Sequence, residues 1–185
     1  MLATSALAHT GSPETTSGFV AGFLHPITGV DHLLAMLAVG MWGAQLGMPA
    51  LWLLPVAFPL VMAVGGALGI AGLPLPATEP AIVTSVLLLG GAIATGQRPP
   101  WPLAAALVAV FAVFHGYAHG RELPAHASAL GFSAGFVLGT GTIHLVGIAI
   151  GCVTLLPHGE RLLRAGGAAI AAAGVALVWR LAAAG

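Results

Sequence analysis

A chain of 185 residues that is 58% hydrophobic and 5% charged, with zero formal net charge, does not match a water-soluble globule, in which about a quarter of residues are charged. Its five basic residues include no lysine, so it has no cationic patch to displace counterions and no nucleic-acid partner is expected. With a mean hydropathy of +1.03, the partner to expect is a lipid bilayer. At about 20 residues per crossing there is room for roughly six helices, and none for a separate nucleotide-binding module.

Residues 1–16 read as a polar N-terminal tail, with Pro13 and Glu14 among serines and threonines. Ala6-Leu7-Ala8 before His9 resembles a signal-peptidase site, although the apolar stretch ahead of it is short and carries no basic residue. Cleavage there would leave His9 N-terminal, its amine and imidazole able to chelate a metal ion together; an uncut polar tail is the alternative. From residue 17 to 185 the chain reads as one transmembrane domain, an all-α polytopic bundle of about six helices. Ser17–Leu24 is too short to span and forms a half-helix ending at His25-Pro26. The crossings then follow as Ile27–Leu46, Leu51–Leu73, Ala81–Gly96, Trp101–His119, His126–Leu156 and Leu162–Leu181, with Pro55 and Pro59 bending the second.

Glycines recur at four-residue spacing, as in Gly18/Gly22, Gly43/Gly47, Gly65/Gly69, Gly116/Gly120, Gly131/Gly135/Gly139 and Gly147/Gly151. Helices in lipid approach closely through such faces, because no hydrophobic force drives them together. Cys152, the single cysteine, forms no intrachain disulfide and reads as a small buried hydrophobe. An outside N-terminus puts Arg98, Arg161 and Arg164 in cytoplasmic loops, with Arg121 and Arg180 outside, a small positive-inside bias. The oligomeric state is left open, and an oligomer is compatible with the pattern.

An ionisable group within a membrane is a functional-site candidate by default. His25, Asp31 and His32 stand where the first crossing begins. The two histidines are seven residues apart, about 10 Å along a straight helix, too far to share one ion. A break at Pro26 or Gly29 would fold His25 back toward Asp31 and His32 and give a broken helix at the motif. The competing reading is local: Thr28-x-x-Asp31 is a helix-capping pattern. His115 and His119, at i and i+4, project from one helix face and can grip a single ion, with Glu122 one turn on.

His144, near Thr140 and Thr142, is either a ligand or a helix-to-helix hydrogen bonder. Glu79 is either a carboxylate at a pore mouth or a plain interfacial one. His126 and His158 read as solvated. Gly131-Phe132-Ser133-Ala134-Gly135 imitates a hydrolase nucleophile elbow, but it lies inside a glycine-spaced helix and His144 is too distant to activate Ser133.

HPITGVDHLLAM at 25–36, followed by Val39-Gly40, resembles the H-P-x-x-G-x-D-H signature of the HupE/UreJ membrane proteins. FHGYAHGRELP at 114–124 is similar to that family's second histidine motif, and the G-T-x-x-H-x-x-G run through His144 and Gly147 fits a third. The resemblance covers nearly the whole chain and implies about six crossings. It implies a nickel or cobalt permease, often accompanying hydrogenase or urease genes, with no catalytic cofactor.

The expectation is therefore a non-enzymatic permease carrying Ni²⁺ (or Co²⁺) inward across a bacterial cytoplasmic membrane, its N-terminus periplasmic. Asp31 would neutralise charge, and His25, His32, His115 and His119 would replace hydration water. His144, Glu122, Glu79 and His9 are further metal candidates. An intramembrane zinc hydrolase with Glu122 as base, or an accessory subunit that never releases its ion, are the alternatives.

Overall fold

In lipid every backbone N–H and C=O must be satisfied within the chain, so the apolar runs become helices. The computed structural model describes residues 13–122 and 128–184, among which there is no strand. The helices are α1 Pro13–Thr28, α2 Val30–Leu46, α3 Ala50–Ile70, α4 Thr78–Thr95, α5 Trp101–Arg121, α6 Ala129–Gly151 and α7 Gly159–Ala184. A 3₁₀ turn, Cys152–Leu155, extends α6. Helices α3 to α7 are each long and apolar enough to cross a membrane, which makes this a multi-pass membrane protein.

The first crossing departs from the sequence reading. Pro26 sits inside the last turn of α1, and the break falls at Gly29, where α1 and α2 meet at 82°. The half-helix therefore runs on to Thr28, and α2 has 17 residues, about 26 Å at 1.5 Å per residue. That falls short of a hydrocarbon core of about 30 Å, so α1 and α2 pass as a candidate span only as a bent pair, which gives five crossings or six.

The Thr-x-x-Asp capping reading also fails. Gly29 is the N-cap of α2 with no side-chain cap, and the Thr28 hydroxyl donates backward to the His25 carbonyl at 2.7 Å. Asp31 is thereby free to do something else. His9 and His126 lie outside the described residues.

Glycine contacts give the direction of each crossing. Gly65 lies against Val113 and Tyr117, and Gly69 against Tyr117 and Arg121, so α3 and α5 run parallel. Gly40 lies against His144 and Ile148, and Gly151 against Met41 and Ala44, so α2 runs parallel to the second half of α6. Gly18 and Gly22 place α1 beside the first half, at Ser128 and Phe132. Helices α4 and α7 are antiparallel, with Gly90 at Ala171 and Gly174 at Leu87. Each connection from α2 onward thus reverses the chain direction, whereas α1 and α2 are joined by the bend at Gly29. The start of α2 and the ends of α3 and α5 share one face.

Helix α2 is the hub, packed against all six of the others. At the opposite face, α2 and α7 close the end of α4, whose last carbonyls have no partner within the helix. Gln45 donates to Ile93 O (3.3 Å), Arg164 to Ala94 O (2.7 Å) and the Trp42 indole to Gln97 O (3.1 Å). Arg98 and Glu160 pair at 2.7 Å beside them. Trp52 and Trp101 on that face and Trp179 on the other are exposed, as residues of an interfacial belt are.

Two further readings change. Gly47 is no packing glycine: it ends α2 at φ 76° with nothing within 4 Å of a Cβ there. Cys152 is exposed on the 3₁₀ turn rather than buried, because α6 is already ending there.

Candidate metal centre

The sequence of α5 explains how its histidines are aimed. Successive residues are about 100° apart on a helix, so Gly116 and Gly120 occupy a face adjacent to that of His115 and His119. The glycines meet the α3 backbone: a Cβ on Gly116 would overlap the Met62 carbonyl, and one on Gly120 the Gly66 carbonyl. That contact fixes α5 in rotation and turns both imidazoles toward α2. Helix α6 works the same way, with Gly135 and Gly139 against Phe19 and Phe23 while Phe132 and Phe136 wall in His25.

The result is a file of rings reaching from the shared face into the bundle. The His25 and His119 ring centroids are 4.8 Å apart, His119 and His32 4.2 Å, and His32 and His115 4.6 Å. Helix α1 does not fold His25 directly onto Asp31, as the sequence suggested. His119 stands between His25 and His32. Glu122, at the end of α5, lies 2.9 Å from His25 Nε2 and 3.7 Å from His119 Nδ1. Among the described residues, His25, His119 and Glu122 form the one group of three whose ligand atoms lie within 4.8 Å of one another.

The file runs from exposed to buried: side-chain exposure is 56% at Glu122 and 25% at His25, 7% and 10% at His119 and His32, and His115 is fully buried. Phe136 packs against His119 at 4.3 Å and helps keep water out. A cavity of about 280 Å³ between α3, α5 and α6 also reaches His119, but its walls are mostly apolar.

Hydrogen bonds settle which ring nitrogens are open. The Asp31 carboxylate accepts from the backbone N–H of His32 and from its ring Nδ1–H, both at 2.8 Å, leaving Nε2 with the lone pair. A carboxylate in the first turn of α2 is also favoured by the helix dipole. The Ser85 hydroxyl has one proton and donates it to the Ile82 carbonyl at 2.6 Å, so it accepts from His115 Nε2–H at 2.9 Å. The open nitrogen of His115 is then Nδ1. His32 Nε2, His115 Nδ1 and both nitrogens of His119 are buried and have no hydrogen-bond partner. Buried imidazole nitrogens are normally satisfied, each orphan costing about 1–3 kcal/mol.

The other candidates lie outside this cluster. Glu79 is exposed at the start of α4, on the same face as Glu122 but not among the gathered donors. His144 is buried on α6 and contacts Phe58 rather than another histidine. His158 is exposed, and Ser133 is an exposed residue in the helical interior of α6, away from any nucleophile elbow. Sequence reasoning missed Ser85 and Phe58. A Thr84-Ser85 pair inside the apolar run of α4 was the available signal for the first, and the second had none.

The sequence profile described as HupE / UreJ protein matches residues 1–177. The chain belongs to the HupE/UreJ family. It is 43% identical over 177 residues to Protein HupE of Rhizobium leguminosarum bv. viciae, covering 96% of this chain and 93% of that one. No solved structure matches it. The HupE/UreJ family is linked to nickel and cobalt uptake, and both histidine motifs that carried the resemblance lie in the ring file.

Proposed function

We propose that this protein is a permease that carries Ni²⁺, and Co²⁺ by the same donors, into the cell across a bacterial cytoplasmic membrane. Glu122 is the outer mouth, and His25, His119, His32 and His115 are successive ligands. One observation carries the reading: four buried imidazole nitrogens, on His32, His115 and His119, have no partner, and they lie behind a half-exposed carboxylate. Imidazole and carboxylate suit nickel, cobalt and zinc.

Glu122 attracts the hydrated ion, and the rings replace its water molecules one by one as the surroundings become apolar. Asp31 supplies the negative charge that makes a doubly charged ion tolerable at that depth. Binding has to remain weak enough for release, which fits a site with no thiolate. Arg98, Arg161 and Arg164 lie on the face opposite the mouth, so the positive-inside rule turns the mouth and the N-terminus to the periplasm. A membrane potential then favours inward movement of a divalent ion by about 4.6 kcal/mol per 100 mV. The metal so gained would serve hydrogenase or urease maturation.

The test is reconstitution in liposomes with the interior held negative. Protein-dependent accumulation of ⁶³Ni²⁺ is expected, and its absence for both Ni²⁺ and Co²⁺ refutes the proposal. Ser85→Ala removes the acceptor that fixes the His115 tautomer. It should weaken Ni²⁺ binding by about tenfold to a hundredfold, as loss of an outer hydrogen-bond partner does. Equilibrium dialysis of the purified variant measures this.

A further inference from the structure

The file of rings continues past His115. Phe58 of α3 packs edge-on against His115 at 5.6 Å and against His144 at 5.3 Å, the latter nearly perpendicular. His144 is 1% exposed. Its Nδ1 lies 3.2 Å from the Pro55 carbonyl, and the sequence of α3 says why that carbonyl is available. In a helix it would accept from the N–H of residue 59, but residue 59 is proline and has none. His144 donates instead, which fixes its tautomer and leaves the lone pair on Nε2. That nitrogen is buried without a partner, and so is the hydroxyl of Thr140, one turn earlier on α6 and fully buried. The His144 backbone lies against Gly40, eight residues beyond His32 on α2. That is about 12 Å further toward the opposite face.

We propose that His144 Nε2, with the Thr140 hydroxyl, forms a second, inner station for the transported ion, and that Phe58 is the partition separating it from the outer donors. The proposal rests on the transport reading above. An imidazole and a hydroxyl without a carboxylate hold a divalent ion less tightly than the outer cluster does, which favours release inward. Two divalent ions so close would repel strongly, so the stations are occupied in turn and the effect shows in flux rather than in stoichiometry.

The test measures Ni²⁺ binding in detergent and ⁶³Ni²⁺ flux in liposomes on the same preparations. His144→Leu is expected to lose flux at least tenfold more than it loses affinity. Pro59→Ala gives residue 59 an N–H that takes over the Pro55 carbonyl, so His144 loses its anchor and flux falls by a smaller factor in the same sense. His144→Cys puts a thiolate at the inner station. Cd²⁺ should then block Ni²⁺ flux at concentrations at least tenfold lower than for the wild type, which a purely structural histidine would not produce.

Wild-type flux in His144→Leu, equal losses of affinity and flux, or unchanged Cd²⁺ sensitivity in His144→Cys each overturns the inner station and leaves the outer site standing. A wild-type protein that neither binds nor moves Ni²⁺ overturns both readings. Should His144→Leu fail to fold, the Pro59 and Cys variants decide.

Discussion

On the proposed transport reading, Asp31→Ala and His32→Ala are each expected to abolish nickel uptake, with a loss on the order of a hundredfold or more, because the first removes the charge and the anchor of the His32 ring and the second removes the ring itself. Asp31 has two tasks. Its carboxylate holds the His32 ring by one hydrogen bond and the start of α2 by another, so that Nε2 is presented beside His119. It also brings negative charge to a part of the bundle where, among the described residues, the neighbouring polar groups are imidazoles.

Asp31→Asn separates the two tasks. The amide oxygen still accepts from His32, but the charge is gone, so this variant is expected to keep the fold and lose most of the flux. Uptake of ⁶³Ni²⁺ into liposomes, read alongside thermal unfolding in detergent, distinguishes the cases. Full uptake by both alanine variants would remove Asp31 and His32 from the path.

Gly116→Val destabilises the bundle more than any substitution of a lipid-facing residue. Even the first added carbon overlaps the Met62 carbonyl, which is backbone and has no rotamer to yield. The α3–α5 pair must separate, and the loss is expected at or above the top of the range of about 1–3 kcal/mol seen for overpacked cores. On the proposed transport reading flux is expected to fall as well, since His115 and His119 stand on either side of that glycine. Gly91→Ala is the control: nothing lies within 4 Å of a Cβ there, so relief of backbone entropy should stabilise α4 by about 0.5–1 kcal/mol. Unfolding in mixed micelles measures both. Equal stability of the two variants would show that the glycine contact does not hold α5 in place.

The membrane class and most of the helix order were legible because hydrophobic length decides them. The glycine pairs at 65/69, 116/120, 135/139 and 147/151 were legible for a related reason, since small residues at one-turn spacing have few other uses in lipid. The break was harder. Pro26 and Gly29 both permitted it, yet a proline in a final turn disturbs little, and Gly29 takes the bend in an extended conformation.

The site was legible in its residue types and less so in its order. A break was expected to bring His25 back onto Asp31 and His32, and nothing in one chain says that His119 stands between them instead. Ser85 and Phe58 were invisible because their roles depend on neighbours at 30 and 86 residues' separation, respectively. Pro55 and Pro59 were read as bends. Their more specific effect, a carbonyl released to His144, appears only when the partner helix is in place.

The glycine seams between α3 and α5 also bear on how such a machine could move. Where main chains touch directly, there is no intervening layer of side chains whose rotamers could flip and let one rod slide past another. Phe58, His115 and His119 therefore ride on a single stiff chassis. On the transport reading, gating is left to swings of individual rings and to the joint at Gly29, which among the described residues is the one sharp bend between apolar helices made without a loop.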